Sequence, residues 1–183
     1  MKLVFPRLET ERLVLRQVVP SDAEDLFVYL SDFEVMKYYG TEPFENIERV
    51  DQAIEKYDTM FREQRGLRLG IEWKESGKLI GNCGFYNWMP DQFNAEMVVV
   101  LRKEYWQQGI MTEALHRMIS YGFEEMGLHR IQGMVEPGNI ASRRLFEKVG
   151  FTQEGVLRDY TFVFGEFRDL MVYGMLKYEY EQK

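Results

Sequence analysis

The chain has 183 residues, enough for one sizeable core and short for two; 45% hydrophobic and 29% charged residues are a globular balance rather than a disordered or fibrous one. A formal charge of −7 argues against a nucleic-acid partner, which would need a basic face to release counterions, and it favours basic acceptors such as polyamines, aminoglycosides or the N-termini of basic proteins. The lone Cys83 closes no intramolecular disulfide, no charged segment precedes an apolar stretch at the N-terminus, and no apolar run reaches the roughly 18 residues of a membrane span. One cytoplasmic domain over residues 1–183, with no membrane partner, is the expectation.

Leu13 and Leu15 alternate in a first strand that Pro20 ends. Ser21 with Glu24 three residues on reads as a capping box opening a helix. Ile47, Val50, Ile54, Tyr57 and Phe61 recur at helical spacing, and Gly66 stops that second helix. The pattern then turns β: Leu67–Trp73 and Leu79–Trp88 flank a turn centred on Gly77, and Ala95–Leu101 follows. The continuous apolar run from Met97 to Leu101 predicts a strand covered on both faces. Beyond Trp106-Gln-Gln-Gly-Ile-Met111, a helix to Met126 carries Met111, Leu115, Met118, Ile119 and Phe123 on one face, with Gly127 as its C-terminal cap. A strand over His129–Glu136, a short helix ending at Val149-Gly150, and strands over Phe151–Arg158 and Phe167–Leu176 complete an α/β (α+β) chain without repeats or linkers.

The junction from Gln107 to Thr112 joins a buried strand to a helix through a glycine. Unpaired N–H groups at a helix N-terminus, aided by the macrodipole, stabilise a diphosphate without a lysine, and Gly109 allows close backbone approach. The dinucleotide fingerprint and the P-loop are both absent, so NAD and ATP lose ground. Tyr105-Trp-Gln-Gln-Gly-Ile-Met-Thr-Glu-Ala114 closely resembles the acetyl-CoA pyrophosphate loop of the GNAT acetyltransferases. Asn139-x-x-Ser142 through Gly150-Phe151 resembles their following motif, one helix and one strand further on. Within that superfamily, Leu8-Glu-Thr-Glu-Arg-Leu-Val-Leu-Arg16 and Thr112-Glu-Ala114 are similar to the ribosomal-protein, RimJ/RimL-type, N-acetyltransferases.

The resemblance implies a mixed, mostly antiparallel central sheet with two splayed parallel strands, flanked by helices. It implies acetyl-CoA as acetyl donor and an amine acceptor, most simply a protein N-terminus. Gln107, Gln108, Gly109, Ile110, Met111 and Thr112 would hold the diphosphate, Asn139 the pantetheine amides, and a backbone N–H within Val98, Val99 and Val100 would polarise the thioester carbonyl. Phe146 falls in the cofactor site where many relatives place a tyrosine that protonates the departing thiolate, which phenylalanine cannot do. Ser142 resembles the serine to which the RimJ/RimL group assigns that task.

The remaining demand is a base. An α-amino group, with a reference pKa of about 7.7–8.0, needs far less help than a lysine at about 10.4. Glu96 is the first candidate, on the strand entering the loop and sharing a face with Val98 and Val100, where partial desolvation would suit it to accept a proton. Glu136, ending the next strand, is the reserve. Cys83 lacks a neighbouring His or cationic cluster and reads as core, and His116 and His129 lack metal-ligand spacing, so no metal is expected. The segments Phe33–Phe44 and Phe85–Asn94, including Tyr86 and Trp88, would build the acceptor cleft and decide between a peptide N-terminus and a small amine such as a polyamine or antibiotic. A non-catalytic acetyl-CoA sensor is the reading of another class, resting on Phe146. The aromatic surplus would suit a homodimer interface.

Overall fold

The computed structural model describes residues 4–182. Its strands are β1 (Leu8–Glu9), β2 (Leu13–Gln17), β3 (Leu67–Trp73), β4 (Leu79–Met89), β5 (Asn94–Leu101), β6 (Arg130–Val135), β7 (Thr152–Val163) and β8 (Glu166–Leu176). The helices are α1 (Ala23–Leu30), α2 (Phe33–Met36), α3 (Ile47–Arg62), α4 (Ile110–Ser120), α5 (Ile140–Val149) and α6 (Lys177–Glu181). All eight strands form one sheet in the order β1-β2-β3-β4-β5-β6-β8-β7, antiparallel throughout except for the β5–β6 pair. The expected mixed α/β arrangement is therefore present.

Alternation along the strands divides the buried side chains into two clusters. Leu15, Leu69, Ile80 and Met97 pack with α4 and α5 through Leu115, Met118 and Phe146. Val18, Leu79 and Val100 pack with α1 and α3 through Leu26, Leu30, Val50 and Ile54. Each helix buries the stripe its 3.6-residue period prescribes.

Four details depart from the sequence reading. Ser21 caps nothing: Pro20–Asp22 form a 3₁₀ turn, and the buried Asp22 instead accepts from the Val19 amide at 2.8 Å and from Arg16, its bidentate partner, at 2.8 and 2.9 Å. The helix after Gly109 leaves the α form at Ser120. A π turn over Tyr121–Glu125, with Met126 N–H donating to the Tyr121 carbonyl at 3.0 Å, sets Gly122 against the Phe85 ring. Gly122 has no room for a Cβ, which would lie 2.8 Å from Phe85 Cζ. The short elements β1, α2 and α6 carry too few residues to show a period. Finally, β5 is not covered on both faces along its length, because Val98 and Val99 are only half-buried, and the reason lies in the sheet.

Candidate active site at the β5–β6 divergence

Strands β5 and β6 pair in register only at Asn94↔Arg130, Ala95↔Ile131 and Glu96↔Gln132. Beyond these, β5 follows β4 to Leu101↔Gly81, while β6 follows β8 to Val135↔Met171. The two strands part company inside the sheet, leaving facing edges without a strand partner. Peptide groups there need other acceptors and donors. The gap opens into a cavity of about 1150 Å³, and Val98, Val99 and Val100 are on its wall.

The N-terminus of α4 forms a second wall. Gln107 and Gly109 both adopt left-handed backbone, at φ 61° and 74°, so the chain turns sharply into the helix. The Glu113 amide donates to the Gly109 carbonyl at 3.0 Å, and no side chain caps the helix. The amides of Ile110, Met111 and Thr112 are thus left for a ligand, and all three residues, with Gln107 and Gly109, line the cavity. Gln108 does not line it: its carbonyl accepts from Arg12 Nη1 at 3.1 Å and its side chain donates to the Glu104 carbonyl at 2.8 Å.

Two side chains brace this loop. Trp106 Nε1 donates to the Leu101 carbonyl at 2.8 Å, tying the loop to the end of β5. Glu113 accepts from Thr10 Oγ1 (2.6 Å), the Arg12 amide (2.9 Å) and Arg12 Nε (2.7 Å). Burial works against the charged form of Glu113, but these hydrogen bonds and the guanidinium prevail and hold its carboxyl below the usual glutamate range.

Helix α5 supplies the third wall. Asn139 Oδ1 accepts from the Ser142 amide at 3.1 Å and so caps the helix, while the residue also lines the cavity. The helix-cap reading of Asn139 holds, and its place on the cavity wall is compatible with the expected pantetheine role. Ser142 is half-buried on the same wall. Phe146 reaches the cavity but is pinned: it stacks edge-on to Phe151 with centroids 4.8 Å apart, and its ring fills the space over Gly133, where a Cβ would come within 2.1 Å of Cε1.

Glu96 is half-buried on the cavity wall and accepts from Asn87 Nδ2 at 3.4 Å. Asn87 stands at φ 44° in the irregularity between Tyr86 and Met89 of β4, a bulge that turns it toward β5. Glu136 also lines the cavity, but it is buried and one of its oxygens already accepts from Arg168 Nη1 at 3.0 Å.

The structure adds residues that the sequence reading missed. Arg144 and Lys148, one helical turn apart on α5, join the wall that faces the α4 N-terminus. Of the expected cleft segments, Tyr38 and Tyr39 line the cavity from the chain after α2, and Asn87 from β4. Phe85, Tyr86 and Trp88 do not line it. Cys83 is fully buried, and burial pushes its thiol up to about 12, as suits core rather than chemistry. Among the described residues no group of three or more His, Cys, Asp or Glu could hold a metal ion, and no helix is long and apolar enough to cross a membrane.

Comparison with known proteins agrees with this geometry. A family model described as an acetyltransferase (GNAT) domain matches residues 12–152. The uncharacterised N-acetyltransferase YoaA of Bacillus subtilis (strain 168) is 41% identical over 174 residues, covering 95% of this chain and 98% of that protein. The spermidine N(1)-acetyltransferase of Escherichia coli (strain K12) is 26% identical, covering 88% of this chain and 86% of its own. The crystal structure of a GNAT-family acetyltransferase from Bacillus anthracis superposes with a TM-score of 0.84 at 27% identity, covering 94% of this chain and 99% of that one.

Proposed function

The chain belongs to the GNAT family of N-acetyltransferases, and within that activity we propose that residues 1–183 act as one RimJ/RimL-type domain that acetylates a protein N-terminal α-amine directly in a ternary complex. The observation that carries the site assignment is the parting of β5 from β6, because it joins the α4 amides, Glu96 and Ser142 in one cavity.

Acetyl-CoA fits this chain's own groups. The uncapped first turn of α4 offers N–H groups and a positive dipole end to a diphosphate, and Arg144 and Lys148 place two cations on the facing wall. When bound, acetyl-CoA supplies an acetyl group already activated as a thioester. Backbone N–H groups on the unpaired edge of β5 polarise its carbonyl, a donor arrangement fixed before reaction and needing no side chain. Glu96 takes the amine proton, directly or through one water, and Ser142 donates its hydroxyl hydrogen to the departing sulfur in place of the tyrosine that Phe146 replaces. An α-amine suits such a site, since it is substantially neutral near pH 8 and a solvated carboxylate suffices as base.

The spermidine-acetylating relative and the charge of −7 favour a second reading, a polyamine acceptor. CoA-thiol release from acetyl-CoA with Ala- and Ser-initiated peptides, spermidine and an aminoglycoside, using wild type, Glu96→Gln and Ser142→Ala, tests both. Peptide turnover lost in both variants supports the reading. Turnover surviving both removes the two assigned roles, and acetyl-CoA binding without turnover favours a sensor.

A further inference from the structure

Arg68, on β3, is fully buried, yet no carboxylate pairs with it among the described residues. Its Nη2 donates to the Tyr39 hydroxyl, while Nε and Nη1 have no partner. Of its five N–H groups, four are therefore open. The guanidinium lies 5.7, 5.8 and 6.0 Å from the ring centres of Tyr39, Tyr57 and Tyr86. Aromatic faces attract a cation but do not neutralise it.

The register shows what this charge underlies. Arg68 pairs with Gly84, and Gly84 with Val98, so the three form one row across the sheet and share a face, with no side chain at the middle position. Val98 and Tyr39 both line the cavity, and Tyr86 is the cross-strand partner of Glu96. The buried cation thus sits behind the acceptor wall, against the ring of Tyr86, the cross-strand partner of Glu96. The Tyr39 oxygen accepts from Arg68, so its own O–H is left to donate, and Tyr39 lines the cavity.

Resting on the acetyltransfer reading, we propose that Tyr39, backed by Arg68, selects the acceptor: its O–H donates to the carbonyl oxygen one carbon from the amine, admitting α-amino carbonyl compounds and disfavouring polyamines. A polyamine offers only donors to Tyr39, and its second ammonium meets the field of an uncompensated guanidinium. Nor does the wall provide it a second free anion. Of the three carboxylates there, Glu34 is bonded to Lys37 at 3.0 Å and Glu136 to Arg168 at 3.0 Å, leaving Glu96 for a single ammonium. The net acidity of the surface does not reach into this cleft.

The test compares alaninamide with isopropylamine, the same amine with the carboxamide replaced by methyl, and with spermidine, in wild type, Tyr39→Phe and Arg68→Met. Wild type is expected to prefer alaninamide over both others by at least about tenfold in kcat/KM, as sites built to hydrogen-bond a substrate reject analogues lacking the group. Tyr39→Phe should raise KM for alaninamide by about tenfold, and several-fold more than it raises KM for isopropylamine. Arg68→Met, where it folds, should do the same by acting through Tyr39; Tyr39→Phe keeps Arg68 in place and carries the test alone where it does not. A preference for spermidine, or equal losses for alaninamide and isopropylamine in Tyr39→Phe, overturns the proposal. Acetyl-CoA binding with no amine turned over overturns the acetyltransfer reading and this one with it.

Discussion

Replacing Arg12 with methionine keeps the aliphatic stem and removes two bonds, Nε to Glu113 at 2.7 Å and Nη1 to the Gln108 carbonyl at 3.1 Å. A hydrogen bond to a charged group contributes about 1.5–3 kcal/mol, and the partial exposure of both side chains, 36% for Arg12 and 18% for Glu113, lets water recover part of it, leaving about 1–2 kcal/mol. Glu113 keeps Thr10 and the Arg12 amide, so the helix itself stays anchored. What loosens is the turn at Gln107 and Gly109, which depends on left-handed backbone at both positions. Were the whole loss expressed in that turn, acetyl-CoA would bind about 5–30-fold more weakly, at about 1.4 kcal/mol per tenfold. Calorimetric titration with acetyl-CoA, alongside KM for the amine, reads this directly. The pH dependence has a definite sign: the Glu113 carboxyl is depressed in the folded state, so its contribution is complete above the ordinary glutamate range and is lost as pH falls through the lower folded value. Arg12→Met should therefore blunt acid destabilisation as well as weaken binding. An unchanged acetyl-CoA affinity accompanied by a lower melting temperature would refute the loop-bracing argument and reduce Arg12 to a staple between the β1–β2 turn and α4.

Arg144→Ala with Lys148→Ala should weaken acetyl-CoA binding several-fold and reduce its salt dependence; an affinity for acetyl-CoA unchanged by the double variant would remove these residues from cofactor binding. Gly133→Ala forces a methyl to within 2.1 Å of the Phe146 ring, so overpacking should destabilise the protein by about 1–3 kcal/mol or more and displace Phe146 from the cavity wall, measured by denaturant melts and acetyl-CoA affinity together. Cys83, with its thiol raised to about 12, should resist alkylation at pH 8 until the protein unfolds, checked by mass spectrometry across a denaturant series.

The elements that could be read from sequence are those long enough to show a period. Leu67–Trp73 is a strand over the residues expected, and the stripe from Met111 to Phe123 is buried as the spacing demanded. The Ser21 capping box failed because a local signal competed with a distant one: Arg16 on β2 claims Asp22, the next residue, and draws the chain into a 3₁₀ turn. The apolar run at Met97–Leu101 misled for a similar reason. Five consecutive apolar residues say that a strand is surrounded, whereas Val98 and Val99 are half open because β6 turns away toward β8, a fact about pairing that no residue of β5 encodes.

The same limit explains why the geometry of the α4 N-terminus was legible and that of the acceptor side was not. The α4 N-terminus proposed to hold the diphosphate is contiguous in sequence, a glycine followed by helix amides, so local order suffices to announce it. Arg68, Tyr39, Tyr57 and Tyr86 come from β3, the chain after α2, α3 and β4, and meet only because Arg68, Gly84 and Val98 share one cross-strand row. An arginine at a strand interior, among Leu67, Leu69 and Ile71, looks in sequence like the solvent-facing member of an alternating pattern. Burial turns it into a cation with no carboxylate partner among the described residues. Under the proposed selection, a site that must choose among amines would gain from that arrangement: the carboxylate would draw any ammonium and the cation behind Tyr39 would penalise a second one, so charge would discriminate before any contact with the rest of the acceptor is made.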